Sequence, residues 1–289
     1  MKRRVILLLC LAVCVGRPAA VNLHAEEPAA VPAASLPAGE HLVYTISWLW
    51  IPVGIGEVWV KEKIMRGGRE VIPVVGVIRT NQVLSRVFPM QDEAVSWIDV
   101  ETLQSVRFEK KIREMRLKTE ERMIFDSGTG KGFFERLETG ESAEFEIPVP
   151  VHDVFSAFYW ARRQVLTPGE SVKTLLVVDQ KIWELEAHAR SRETLKVHGT
   201  EIETLRIEPV TRVEGKERRG RAWFYLTEDA SHMPVRIVYK APFGSVVGTL
   251  QDFEEAGTPE LPAGGAGSPE NRSRNPAPAE PALKFKSLF

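Results

Sequence analysis

His152, Asp153 and Ser156 place an imidazole, a carboxylate and a hydroxyl within five residues, the three groups of a nucleophile–base–acid set. Their spacing points elsewhere. Asp153 and Ser156 are the first-turn polar residues of a capped helix, and no Gly-x-Ser-x-Gly elbow occurs in the chain. Glu184, Glu186 and His188 fall at i, i+2 and i+4 and would share one strand face, as metal ligands could. Trp183, Leu185, Ala187 and Ala189 take the opposite face, so an ordinary polar-out, apolar-in strand accounts for the run and no metal site is expected. Gly128-Thr129-Gly130-Lys131-Gly132 lacks the Ser or Thr after lysine that a phosphate loop needs; it reads as a hairpin turn. The sequence therefore reads as that of a non-enzyme, with no catalytic residue, metal or cofactor assigned.

What remains is apolar. Tyr44, Trp48, Trp50 and Trp59, with Leu49, Ile51, Val53 and Ile55 around the turn, make the first hairpin aromatic. Aromatic side chains bury large areas and usually anchor a core; the same set could line the mouth of an apolar ligand site, or touch a membrane or a partner. Val151, Val154, Phe155, Phe158, Tyr159, Arg162, Val165 and Leu166 recur at helical spacing, which predicts an amphipathic helix over 154–166. Asp153 would cap its start, Arg162 and Arg163 suit the negative end of its dipole, and Thr167-Pro168-Gly169 would stop it. Its apolar face either packs in the core or closes a ligand cavity. The candidate ligand-binding residues are Tyr44, Trp48, Trp50, Phe155, Phe158 and Tyr159.

Strands must position these side chains almost everywhere. Leu42, Tyr44, Ile46 and Trp48 alternate onto one face, and residues 51–54 read as a turn. Strands are expected at 57–61, 71–80, 93–99, 105–112, 117–125, 132–137 and 144–148. After the helix come 170–178, 181–189, 192–197, 201–210, 221–226, 233–240 and 245–252. Gaps of two to five residues between most of them require antiparallel hairpins. The fold class is mainly β: a large curved antiparallel sheet, half-barrel or barrel-like, with one amphipathic helix packed on it, because curling limits exposed edges.

Lys2, Arg3 and Arg4 precede eleven apolar residues, 5–15, too few for the roughly 20 that cross a bilayer. Leu23-His24-Ala25 offers a small-residue cleavage site. Residues 1–25 thus read as a secretory signal peptide, which predicts a periplasmic or secreted protein. Both cysteines, Cys10 and Cys14, lie within it, so the exported chain would carry no disulfide. Leu11-Ala12-Val13-Cys14 resembles a lipoprotein acceptor, although Val13 is a poor substitute for the small residue expected before the cysteine. Residues 26–38 read as an Ala/Pro-rich linker, 39–255 as a single β-rich domain, and 256–289 as a Pro/Gly-rich tail expected to be disordered. Leu283, Phe285, Ser287 and Phe289 alternate like the last strand of an outer-membrane barrel, but the stretch before them isolates them and they read as free tail. Four leader cations taken from a whole-chain charge of −1 leave −5 for the rest, with no basic excess to suggest nucleic acid. No apolar run after the leader is long enough to span a membrane.

Gly39-Glu40-x-Leu42-x-Tyr44-x-Ile46-x-Trp48, followed by Ile51-Pro52-Val53-Gly54, resembles the opening of the bacterial "domain of unknown function 3108" family. Asp153-Val154-Phe155-Ser156-Ala157-Phe158-Tyr159-Trp160-x-Arg162 resembles its central block. Trp223-x-x-Leu226-x-x-Asp229, Pro234-Val235-x-Ile237 and Phe243-Gly244-Ser245-Val246 resemble its closing blocks. The resemblance spans roughly residues 39 to 252; it implies an exported bacterial protein rich in antiparallel strands and implies no activity. The resulting expectation is non-catalytic binding or carriage of an apolar or envelope ligand, such as a lipid, a lipoprotein acyl chain or an envelope polymer. The alternative is an envelope scaffold or assembly factor that engages other proteins through a sheet edge or its C-terminal tail. A carrier should hold a continuous apolar cavity, a scaffold a filled interior.

Overall fold

Alternating apolar and polar residues become strands whose burial alternates in the same rhythm. In β1 (His41–Trp48), Leu42, Tyr44 and Ile46 are buried and their neighbours are not. The structure, a computed structural model, describes residues 36–213, 215–217, 221–241 and 244–254; the expected signal peptide, most of the linker and the expected tail lie outside these. After β1 come β2 (Ile51–Val60), β3 (Ile64–Arg66), β4 (Arg69–Thr80), β5 (Gln91–Asp99) and β6 (Ser105–Glu114), then β7 (Leu117–Asp126), β8 (Lys131–Arg136) and β9 (Glu141–Glu146). The helix α1 (Val154–Arg162) separates these from β10 (Ser171–Val178), β11 (Lys181–Val197), β12 (Thr200–Val213) and β13 (Lys216–Glu217). The last three strands are β14 (Arg221–Thr227), β15 (Pro234–Ala241) and β16 (Gly244–Glu254).

All the strands join one open antiparallel sheet, ordered β10-β11-β12-β14-β15-β16-β1-β2-β4-β5-β6-β7-β8-β9, with β3 on β4 and β13 on β12. Neighbours in the sheet are close in sequence except at one seam. There β1 pairs with β16, Leu42 opposite Phe253 and Trp48 opposite Val246. The sheet curls until its two ends approach. A strap over 147–153 fills the gap: Val177 N–H donates to the His152 carbonyl (2.7 Å) and Ser105 N–H to that of Val151 (3.0 Å). Lys110 on β6 reaches Asp179 in the β10–β11 turn (2.6 Å) and Glu121 on β7 (2.8 Å).

The one α-helix among the described residues lies inside this curl. Tyr159 packs with Val60, Ile72, Val74 and Ile98 of β2, β4 and β5. Ala157 packs with Leu176, Val178 and Trp183 of β10 and β11. One nine-residue helix thus touches strands from both halves of the path, which only a strongly bent sheet allows.

Three sequence expectations change. The reversal between β1 and β2 is not at residues 51–54 but at Leu49 and Trp50, which take left-handed φ values of 47° and 71° between the paired Trp48 and Ile51. Such a two-residue loop matches the twist of its strands, and Pro52 falls beside an irregularity in the β1–β2 register, a place where a strand tolerates proline. Residues 181–189 and 192–197 are one strand, β11, because a shift in register between Ala189 and Ser191 lets it bend without ending. The helix ends at Arg162, four residues early. His232 Nδ1 takes the Arg162 carbonyl (2.8 Å) and Arg163 N–H turns back to the Trp160 carbonyl (3.3 Å), while Leu166 leaves to pack with Ala187, Ala189 and Leu205.

Candidate functional site

Two buried polar networks pin α1. At its start the Asp153 carboxylate accepts from Phe155 N–H (2.8 Å) and Ser156 N–H (3.0 Å) through Oδ1, and from Ser96 and Ser105 hydroxyls (both 2.6 Å) through Oδ2. Local chemistry explains the cap, and the two serines carry it across to β5 and β6. Burial pushes the Asp153 carboxyl up and the four donors work against that, with the net shift upward. His152 Nδ1 lies 3.3 Å from Ser156 Oγ, so the structure does gather imidazole, carboxylate and hydroxyl. All three are sealed: His152 and Asp153 are 1% exposed and Ser156 0%. The Ser156 hydroxyl is engaged by the Asp153 backbone and Ser105, and burial lowers His152 to about 4, holding its ring neutral. This is the chemistry of a helix anchor.

At the other end of α1 the Arg162 guanidinium grips Glu40 through two bonds, Nη1 to Oε1 at 2.7 Å and Nη2 to Oε2 at 2.6 Å. Tyr159 donates its hydroxyl to Glu40 Oε1 (2.9 Å). Arg162 also reaches the carbonyls of Ser231 and His232, in a β14–β15 turn that Asp229 shapes by accepting from Ser231 N–H (2.9 Å) and Thr227 Oγ1 (2.9 Å). Burial pulls the Arg162 pKa down, but Glu40 more than offsets it and the net shift is upward. Burial and then the Glu40 charge raise Tyr159 well above its usual value. The sequence blocks around Glu40, 153–162 and Asp229 thus meet at one place, around the helix.

Between the first turn of α1 and the sheet lies an apolar cavity of about 100 Å³. Phe155 and Val154 form one wall; Tyr44, Ile46, Ile78 and Phe108 form much of the other. Glycines thin the sheet here. A Cβ on Gly76 would lie 2.5 Å from Phe155 Cζ, so that ring rests directly on the strand backbone. Gly248 meets nothing closer than 3.8 Å and opens the cavity on the β16 side. An apolar cavity of roughly 150 Å³ stays dry and takes up benzene, whereas sites for drug-sized molecules run to roughly 300–1,000 Å³. This one suits a short stretch of hydrocarbon.

Of the six residues singled out from sequence, Tyr44 and Phe155 line this cavity. Phe158 is not in the lining; it packs against the cluster around Tyr159, its ring 5.4 Å from those of Tyr159 and Phe224. Tyr159 is 1% exposed among core side chains. Trp48 and Trp50 sit away from the cavity on the hairpin tip, 41% and 92% exposed. Sequence reasoning missed the glycines Gly56, Gly76 and Gly248, whose signal was a glycine inside an otherwise regular strand. Glu184, Glu186 and His188 sit on β11, where Glu186 is taken up by Arg212 (3.1 Å) and Lys173 (3.6 Å).

One carboxyl pair touches the cavity. Asp92, in its lining, accepts from Arg113 N–H (2.9 Å). Burial, then the Asp92 charge, push the neighbouring Glu114 up to about 7, and burial raises Asp92 too. A carboxyl raised on folding stabilises fully below its unfolded value near 4.5 and loses that contribution as pH rises through 7. His152 runs the other way, losing stability as pH falls from 6.5 towards 4. Glu114→Gln removes Glu114's own part of the first slope, so its Tm relative to the parent chain should climb between pH 5 and about pH 7 and level off above that. A difference in Tm that stays flat across that range would show that Glu114 ionises freely.

Searches of known proteins bear on the fold and the family. No curated protein matches the sequence. A β-barrel-like protein of the domain of unknown function DUF1849 from Brucella abortus superposes at a TM-score of 0.51 and 10% identity, over 77% of this chain and 99% of its own. A candidate exported protein with a YmcC-like fold from Bacteroides fragilis matches at 0.29 and 10% identity, over 75% and 96%. A candidate lipoprotein from Parabacteroides distasonis matches at 0.31 and 9% identity, over 75% and 95%. The Brucella likeness is one of fold: a curled antiparallel sheet, mostly strand, as the sequence pattern predicts. The profile of the family described as protein of unknown function DUF3108 matches residues 43–251, and the chain belongs to that family.

Proposed function

We propose that this protein is an exported, non-catalytic carrier that holds a hydrocarbon segment of a lipid or acylated envelope component between α1 and the sheet. The observation that carries this reading is the apolar cavity of about 100 Å³ against Phe155, left open where Gly248 contributes no side chain. Excluding water from a few methylene groups there favours binding by about 0.8 kcal/mol each. The non-catalytic part rests on the burial of the Ser156, His152 and Asp153 groups, which a substrate could reach only if the helix left the sheet. Export rests on the leader pattern of residues 1–25.

Native mass spectrometry of the protein, expressed in a bacterium and purified without detergent, tests the reading. Adducts in the mass range of lipids should appear and vanish on solvent extraction. Gly248→Leu, whose new side chain would enter the cavity from a strand with room for a Cβ, should lower adduct occupancy at least about tenfold, because roughly 100 Å³ is close to the volume of the added side chain. Its Tm should hold or rise, since filling an apolar void favours the fold. A clean mass that ignores added lipid would remove the carrier and leave a scaffold acting through protein contacts.

A further inference from the structure

The turns at one end of the sheet form a continuous rim. Leu49 N–H donates to the Ser245 carbonyl (3.3 Å), Asn81 N–H to that of Val53 (2.9 Å), and Met115 N–H to that of Pro89 (2.9 Å). These bonds stitch the start of β16, the β1–β2 tip, the β4–β5 loop and the β6–β7 turn side by side. Along the rim Trp50 is 92%, Ile51 63%, Val83 77%, Val87 76% and Met115 58% exposed. At the opposite end of the same strands the exposed large apolar side chains include Ile64 and Met65 of β3, 44% and 69%, and the β5–β6 and β7–β8 turns expose none.

Cations stand among these apolar tips. Arg86, Arg113, Arg116 and Lys118 are all exposed, and among the described residues no carboxylate forms an ion pair with any of them. The chain as a whole carries a charge of −1, so this cluster is a local excess. The β1–β2 tip is also strained: Leu49 and Trp50 hold left-handed φ values in a loop that favours Asn-Gly. Folding alone does not select an exposed Leu-Trp pair there, and strain kept in place points to use.

We infer that this rim docks on an anionic lipid bilayer, with Trp50, Ile51 and the neighbouring valines set at headgroup depth and the four cations over lipid phosphates. Tryptophan with aliphatic neighbours, ringed by arginine and lysine, is the composition that partitions to such a boundary. Ile46 and Ile78 of the cavity lie two residues from the rim ends of β1 and β4, so docking would bring the cavity close to lipid chains.

The test is sedimentation of the full chain with vesicles of phosphatidylethanolamine and phosphatidylglycerol, and separately with phosphatidylcholine vesicles. Binding should favour the anionic vesicles and weaken with added salt. Each cation near such a surface is worth about a fivefold change, so Arg113→Gln with Arg116→Gln should weaken it roughly 25-fold. Trp50→Asp, at a side chain the fold does not bury, should weaken it at least about tenfold. Leu49→Asn with Trp50→Gly should also weaken binding while raising Tm, because it gives the loop its preferred residues. The leader's apolar run is common to all these proteins, so their differences report the rim. Variants that bind like the parent chain, or a parent chain that prefers phosphatidylcholine or stays in the supernatant, would overturn the docking surface. Retained lipid adducts with no vesicle binding would overturn the rim alone, and vesicle binding with no adduct the cavity alone.

Discussion

Glu40→Ala is expected to destabilise the folded state by about 3–5 kcal/mol, because it leaves the Arg162 guanidinium charged and buried with only carbonyls for company. Glu40 and Arg162 are 4% and 6% exposed, and their two bonds of 2.7 and 2.6 Å are joined by the Tyr159 hydroxyl. Solvent cannot replace the lost carboxylate. Urea denaturation followed by tryptophan fluorescence measures the loss. Removing both charges, Glu40→Leu with Arg162→Met, should cost well under the sum of the single changes, since no orphan charge remains. A single Glu40→Ala change costing under about 1 kcal/mol would mean that the pair behaves as a surface ion pair.

Asp153→Ala should cost about 3–4 kcal/mol. The loss of a helix cap alone is worth about 0.5–2 kcal/mol, and here the same carboxylate also satisfies the Ser96 and Ser105 hydroxyls in a site without water-facing surface. Each donor left unmet in such a place costs about 1–3 kcal/mol, although hydroxyls can turn towards other acceptors. Asp153→Asn keeps an acceptor for the two N–H groups and should recover more than half of the loss. Equal losses for Ala and Asn in denaturation would place the weight on the charge rather than on the cap.

The sequence was legible where the cause of structure is local. Leu42, Tyr44 and Ile46 announced an inward face by alternating, and Asp153 announced a helix start because its partners are two and three residues away. Trp48 follows the same alternation but ends half-exposed, since the strand reaches the rim there. The helix end was hidden because His232 closes it from 70 residues away. Arg162 reads from its position as a partner for the helix dipole, yet its strongest partner, Glu40, stands 122 residues back. The cavity was half legible: aromatic Tyr44 and Phe155 draw the eye, whereas Gly56, Gly76 and Gly248 shape it by what they lack. Leu49 and Trp50 stood out as part of an aromatic hairpin, but the reversal itself was misplaced at residues 51–54, because neither residue is one that left-handed turns favour.

The seam between β1 and β16 governs when the protein can become itself. A chain delivered from its amino end presents β1 some two hundred residues before the strand that will flank it, and contacts of such long range are the slow ones. Strands β2 to β9 can zip from hairpin to hairpin as they emerge, as can β11 to β16, but β1 must wait with one edge open until the end of the domain arrives. An unpaired edge is where chains stick to one another, so the interval before closure is when a chaperone would matter most. Joining the two ends of the domain by a short loop and opening the chain at Gly169, between α1 and β10, where the backbone already holds a left-handed φ, would leave no paired strands far apart in sequence; it would turn that late, distant pairing into an early hairpin and should speed refolding.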